Sequence, residues 1–261
     1  MKLIQSRDNP FYKELVKLSG SARQRNKSSQ TLLDGAHLLA AYLDSGNQPR
    51  HLLLNAAAAQ DDEIAGLLER VTDVPVTQLD DRLFAELSEL KTPTGILALI
   101  DIPQPDMQVA QSNFALLLED IQDPGNLGSV LRSAAAAGCD AVFLSPGCAD
   151  AWSPKVLRAA MGGHFALRIY ERQDLLSVAK AFNGALLATS LQATRSLYEC
   201  DLRGSVAFMV GNEGAGLSAE LSGCATQTIT IPMPGKVESL NAAAATAVCL
   251  FEVVRQRATG R

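Results

Sequence analysis

The sequence predicts an α/β protein built in two successive parts. Three observations predict it. Apolar runs of about five residues alternate with segments of helical periodicity along nearly the whole chain. Three asparagine- and glycine-rich turns each close such a run in the second half, at 123–128, 211–217 and 231–235. A proline-bearing stretch around Pro103 and Pro105 interrupts the pattern between the parts.

The elements follow in chain order. Residues 10–19 have helical spacing, with Phe11, Leu15 and Leu18 on one face and lysines between them. The polar stretch 19–29 reads as a basic loop or a helix end. Strands at 31–34, 51–54, 74–77 and 96–100 then alternate with helices at 36–43, 61–70 and 80–89, enough for one small layered domain over residues 1–104. A linker is expected at 105–112, where hydrophobic periodicity is lost. In the part that follows, 113–261, the run Phe114-Ala115-Leu116-Leu117-Leu118 is apolar throughout, as a strand covered on both faces of a parallel sheet must be. Further strands are expected at 141–144, 166–169, 185–189, 206–210 and 228–231, with helices at 125–137, 154–161, 173–181, 218–221 and 240–257. The alanine runs Ala134–Ala137 and Ala242–Ala245 favour helices that pack closely, against another subunit or within the chain.

Composition narrows the function classes. The 261 residues are 47% hydrophobic and 20% charged, the balance of an ordinary globular protein with a sizeable core. No apolar run approaches the roughly 20 residues of a membrane span, and the first residues lack a signal-peptide core, so the expectation is a cytoplasmic protein. The five cysteines, Cys139, Cys148, Cys200, Cys224 and Cys249, form no Cys-x-x-Cys pair, and His37, His51 and His164 are dispersed. Neither a disulfide framework, a metal site nor a Ser-His-Asp triad is indicated. Net charge is −5, yet Lys2, Arg7, Lys13, Lys17, Arg23, Arg25 and Lys27 face only Asp8 and Glu14 near the start. That asymmetry reads either as a nucleic-acid contact or as a solvated helix face.

The three turns carry the chemistry. Each stands where a strand hands over to a helix, the place where open α/β sheets bind ligands. Gly211, Gly214 and Gly216 give G-x-x-G-x-G rather than the dinucleotide fingerprint, which disfavours a nucleotide-dependent oxidoreductase. A glycine turn lets backbone groups approach a ligand closely, though a tight left-handed turn alone also explains it. Asn126 sits near the start of a helix, suited to an N-cap or to holding a neighbouring loop. Arg132, further along, offers a planar fork for phosphate or carboxylate, or for a surface ion pair. Glu213 is a lone carboxylate within a glycine turn. Ser239 and Asn241 flank Leu240 at the start of the last helix, where capping is their simplest role.

With these residues the chain resembles the SpoU or TrmH branch of the SPOUT methyltransferases. The resemblance rests on 123–132 (DPGNLGSVLR), 210–217 (VGNEGAGL) and Ile231-Pro232-Met233 through Glu238-Ser239-Leu240-Asn241. The first part is similar to that family's L30e-like substrate-binding domain, with 92–98 (TPTGILA) as its closing strand. The resemblance implies a SPOUT α/β domain with a C-terminal trefoil knot, a homodimer, and no metal or membrane. It implies an S-adenosyl-L-methionine-dependent methyltransferase acting on a ribose 2′-hydroxyl of RNA, most simply rRNA. It implies a cofactor held by Thr189, Ser190, Gly211, Asn212, Glu213, Gly216, Ile231, Met233, Ser239 and Leu240, and a catalytic set of Asn126, Arg132, Glu213, Ser239 and Asn241. RNA would meet Arg7, Lys13, Arg23, Arg25 and Lys27 together with Arg132. Two other readings stand beside it: a tRNA 2′-O-methyltransferase, and a non-catalytic RNA-binding or ribosome assembly factor that keeps the fold.

Overall fold

Two parallel-rich sheets organise the protein. The computed structural model describes residues 2–90, 92–105 and 109–259, so positions 106–108 of the expected linker lie outside the described residues. Contacts divide the chain into one unit of Met1–Gln104 with Trp152–Phe165 and another of Pro105–Ala151 with Ala166–Arg261.

In the first unit β1 (Lys2–Ile4), β2 (Gln30–Asp34), β3 (His51–Leu54), β4 (Val76–Leu79) and β5 (Ile96–Asp101) form one sheet in the order β1-β4-β3-β5-β2. Strand β5 runs antiparallel to β2 and β3, and the other pairings are parallel. Helix α1 (Pro10–Gly20) starts where the Asn9 side chain accepts from the Phe11 and Tyr12 amides, with Pro10 at the first position. It buries Tyr12, Leu15 and Leu18 against Leu32, Leu53, Phe84 and Leu97. Tyr12 is buried with Leu15 and Leu18 where Phe11 was expected, and Phe11 is only partly buried, its ring tilted against that of His51 at 4.7 Å. Helices α3 (Ala36–Asp44), α4 (Asp62–Glu69) and α5 (Asp81–Leu87) complete the layers, the last two opened by the carboxylates of Asp61 and Asp80.

Strand β1 and helix α2 (Ala22–Ser28) are not among the expected elements. Strand β1 buries only Ile4 and depends on its pairing with β4. Helix α2 is polar on nearly every side, so periodicity could not disclose it. It is defined by its ends, the Ser21 hydroxyl accepting from the Gln24 amide and Ser29 closing it at φ 53°. Strand β4 also begins at Val76 rather than 74, because the Pro75 carbonyl serves Leu52 while its ring has no N–H to pair.

The second unit holds β6 (Phe114–Leu118), α6 (Pro124–Ala137), β7 (Ala141–Leu144), and later β8 (Arg168–Tyr170), α8 (Leu175–Ala181), β9 (Ala185–Thr189), β10 (Val206–Val210), α9 (Ala219–Ser222), β11 (Gln227–Ile229) and α10 (Ala242–Thr259). The intervening α7 (Pro154–Ala160) lies within the Trp152–Phe165 excursion and packs beside β2 of the first unit. There Thr31 donates its hydroxyl to the Trp152 carbonyl at 2.8 Å, and Phe165 meets Tyr42 edge-on at 5.1 Å. Strand β8 starts later than expected because Gly163–Ala166 form a 3-10 turn.

The six strands are all parallel, in the order β11-β9-β10-β6-β7-β8. Every residue of β6 and β10 is buried, which explains their unbroken apolar sequences. From β6 the chain proceeds outward to β7 and β8, whereas from β10 it crosses past β9 to β11. Adjacent β6 and β10 therefore send their following loops in opposite directions, and this switch point opens a crevice beyond their carboxyl ends. Helix α10 packs against α6 within the chain.

Candidate active site

The loops leaving β6 and β10 meet at the crevice. After β6 the Asp123 carboxylate accepts from the Asn126 amide at 2.7 Å and caps α6, with Pro124 at its first position. Asp123 thus takes the capping role that the sequence offered to Asn126. The Asn126 side chain is free for another task. Its Nδ2 donates to Glu213 Oε1 at 2.8 Å, and its Oδ1 accepts from Asn241 Nδ2 at 2.9 Å.

The polarity of this chain is self-consistent. A carboxylate can only accept, so Asn126 turns its NH₂ to Glu213 and presents its oxygen to Asn241. Asn241 then has its own oxygen left for the Ala243 and Ala244 amides, at 2.9 and 3.3 Å, which caps α10. Three residues from the three sequence motifs are joined in one hydrogen-bonded row.

After β10 the segment 211–217 folds tightly on itself. Asn212 and Gly216 form an antiparallel bridge, and Gly216 has φ 72°. A Cβ at Gly211 would overlap the backbone of Gly216 and Leu217. The Asn212 Oδ1 accepts from the Gly214 and Ala215 amides at 2.9 and 3.1 Å, while its Nδ2 donates to the Asp120 carbonyl at 2.9 Å. At the far end Glu119 takes both the Ser218 amide and its hydroxyl, each at 2.7 Å.

Behind this loop lies a cavity of about 580 Å³. Its size is that of a small-molecule site. All ten residues assigned above to the cofactor line it, together with Asn241. Its walls are backbone amides, hydroxyls and apolar side chains such as Leu191, Met233 and Leu240, and Glu213 is the one charged residue among those lining it. That donor set fits a cationic sulfonium compound carrying a purine: no cation opposes the sulfonium, and uncharged amides suit the base. Cys249 also faces the cavity, but burial pushes its thiol up to about 12, so no thiolate stands there at neutral pH. The Ser239 hydroxyl makes no hydrogen bond among the described residues.

Arg132 is exposed on α6, nearly two turns beyond Asn126, and makes no hydrogen bond or ion pair among the described residues. In the first unit Arg23 and Lys27 are exposed. Arg7 pairs with Glu86, and Lys13 with Asp8 at 2.8 Å; both are exposed contacts that bind weakly and exchange readily. Arg25 corrects the sequence reading. It is 5% exposed, and its Nη1 donates to the carbonyls of Leu18 and Ser19, closing the end of α1. A guanidinium committed to those carbonyls is not presented to phosphate. Sequence reasoning does not single out Glu119, Asp120 and Ser218, whose hydrogen bonds hold the loop 211–217, although an acidic pair just after a fully buried strand is a visible signal.

Among the described residues no group of three or more His, Cys, Asp and Glu side chains could hold a metal ion. Residues 113–251 match the SpoU rRNA methylase family, and residues 9–98 match the MRM3-like substrate-binding domain. The chain is 34% identical over 255 residues to the 23S rRNA (guanosine(2553)-2′-O)-methyltransferase of Bacillus subtilis, covering 97% of this chain and 99% of that protein. Among solved structures it superposes on an RNA 2′-O ribose methyltransferase with a TM-score of 0.82 at 31% identity, covering 98% of this chain and 99% of the other. It superposes also on the SpoU methyltransferase AviRb of Streptomyces viridochromogenes in complex with AdoMet, with a TM-score of 0.85, 28% identity and coverage of 97% and 100%. The chain therefore belongs to the SpoU rRNA methylase family, with an MRM3-like substrate-binding domain ahead of the methylase domain.

Proposed function

We propose that the protein transfers a methyl group from S-adenosylmethionine to a ribose 2′-hydroxyl of ribosomal RNA. The observation that carries this reading is the row Glu213–Asn126–Asn241, which links the wall of the cavity to the helix that bears Arg132. The cofactor is S-adenosylmethionine, the ligand of two solved neighbours in the family. Its place is the cavity behind 211–217, with backbone groups of that loop and of residues 229–233 around it. When bound it supplies a methyl group already activated on sulfur.

The residues of the chain then have two tasks, to orient the ribose and to manage its proton. The Arg132 guanidinium offers donors and no acceptor, so it cannot act as a base. Its role is to hold the 2′-oxygen or a neighbouring phosphate by its planar fork. Asn126 and Asn241 fix the approach of the RNA by holding Glu213 and the start of α10 in place. Ser239 offers its hydroxyl to cofactor or ribose.

Residues 1–104 serve as the RNA substrate-binding domain, 105–112 as linker and 113–261 as the methyltransferase domain. Arg23 and Lys27, with the exchangeable Arg7 and Lys13, supply phosphate contacts. A homodimer is part of the reading, supported by Phe251 on α10 and Tyr198, large side chains 47% and 54% exposed. So is a trefoil knot near the C-terminus, supported by α10 packing against α6, β10 and the turn Leu197–Glu199. Among the described residues no helix is long and apolar enough to cross a membrane, and the cytoplasm is where this reading places the enzyme. The test is incubation of the purified protein with methyl-labelled S-adenosylmethionine and either rRNA or tRNA. Label recovered as a 2′-O-methylnucleoside from rRNA is the expected result; label in tRNA alone, or in neither with the cofactor bound, would refute it.

A further inference from the structure

We infer that Glu119 and Asp120, adjacent at the carboxyl end of β6, are positioning residues that clamp both ends of the loop 211–217 and so shape the wall of the cavity. This rests on reading that cavity as the S-adenosylmethionine site. Each end of the loop is held by a different device. At the leading end the Asp120 carbonyl accepts from Asn212 Nδ2 at 2.9 Å, which leaves the Asn212 oxygen turned inward to hold the Gly214 and Ala215 amides. At the trailing end the Glu119 carboxylate takes the Ser218 amide and hydroxyl. The same hydroxyl also accepts from the Leu221 amide at 3.2 Å, so the clamp continues into the cap of α9.

The leading device depends on strain. Asp120 has φ 55°, a left-handed conformation that costs an ordinary L-residue energy and that aspartate tolerates better than most. Ser145 holds it there from the end of β7. The Ser145 hydroxyl accepts from the Asp120 amide at 2.9 Å and donates to its carboxylate at 2.6 Å, and Ser145 is 8% exposed. Gly147 leaves room for that carboxylate, since a Cβ there would overlap it. The carbonyl of Asp120 is aimed at Asn212 because its side chain and amide are both tied to Ser145. A row Ser145–Asp120–Asn212 thus runs across β7, β6 and the loop after β10, at the switch point itself.

Glutamine at 119 could still accept from the Ser218 amide and donate to its hydroxyl, whereas alanine could do neither. The test measures S-adenosylmethionine affinity by calorimetry, and amide hydrogen exchange across 211–218, for the full chain and four variants. Glu119→Ala is expected to weaken cofactor binding on the order of ten- to a hundredfold and to speed exchange at Gly214, Ala215 and Ser218. Glu119→Gln is expected to restore most of both. Ser145→Ala, a smaller change that carries the test should Glu119→Ala fold poorly, is expected to give a several-fold loss with the same exchange signature. Ala245→Leu, which fills the cavity without touching the clamp, serves as the reference. Loss of binding in Ala245→Leu with parental affinity in Glu119→Ala and Ser145→Ala would overturn the clamp alone. Parental affinity in Ala245→Leu would overturn the reading of the cavity and the clamp with it, and a glutamine variant no better than the alanine would contradict the proposed hydrogen bonds.

Discussion

Asn126 and Asn241, in different motifs of the sequence, share a hydrogen bond of 2.9 Å that ties the first turn of α6 to the start of α10. Because Glu213 occupies the donor side of Asn126, the carboxamide is the one side chain of its size that satisfies both neighbours at once.

Aspartate in place of Asn126 would set a second carboxylate against Glu213. At neutral pH the Asn126→Asp enzyme should lose methyl transfer on the order of ten- to a hundredfold, since a hydrogen bond to a charged group becomes a repulsion. Once protonated, the introduced carboxyl can donate to Glu213 again, so the deficit should shrink as pH falls, opposite to any loss the parent shows in acid. A pH series of single-turnover rates for both proteins checks the sign.

Gly211 is hemmed in by backbone, not by a side chain that could swing aside. Gly211→Ala must therefore displace the loop, with a stability loss of about 1–3 kcal/mol and a weakened cofactor complex. Thermal melts with and without S-adenosylmethionine should show a smaller ligand-induced rise in Tm than for the parent.

Arg25 separates structure from binding within one basic helix. Arg25→Ala leaves the Leu18 and Ser19 carbonyls short of a donor and should cost about 1–3 kcal/mol in denaturant unfolding. Arg23→Ala and Lys27→Ala should leave stability within about 0.5 kcal/mol of the parent. Each should instead lower RNA affinity and flatten the slope of log K against log salt by about 0.7. Titration of RNA at three salt concentrations distinguishes Arg25 from the exposed Arg23 and Lys27.

Tyr12 makes alkaline stability measurable. Burial first, and then its hydrogen bond to Glu86, push the phenol up to about 12 from an ordinary value of 10.0. A group raised in the folded state stabilises fully below its unfolded pKa and loses that contribution as pH climbs to the folded one. Unfolding free energy should thus fall between about pH 10 and about pH 12, and Tyr12→Phe should flatten that fall although it is less stable at neutral pH.

Most of the fold was legible because buried strands announce themselves. Phe114–Leu118, Ala141–Leu144, Ala185–Thr189 and Val206–Val210 stand where their apolar runs end. Helix α2 was not legible, since its stability comes from caps and from a buried arginine instead of an apolar stripe. The excursion of Trp152–Phe165 into the first unit was invisible too, because sequence adjacency to β7 and β8 says nothing of long-range packing. At the site, the glycine turns and the trio Asn126, Glu213 and Asn241 could be chosen from the motifs. Which of them touch depends on a sheet order in which β10 lies beside β6, whereas the Asp123 cap that frees Asn126 is a local bond three residues long.

Methyl transfer to rRNA through Arg132 is tested at the RNA itself, by mapping ribose 2′-O-methylation in rRNA from cells with the intact gene, without it, and with Arg132→Ala. A defined methylation should disappear without the gene and return with the intact enzyme. It should not return with Arg132→Ala, although that protein folds and binds S-adenosylmethionine like the parent. Retention of every rRNA methylation in cells lacking the gene, or full restoration by Arg132→Ala, would show that the enzyme does not act in this way.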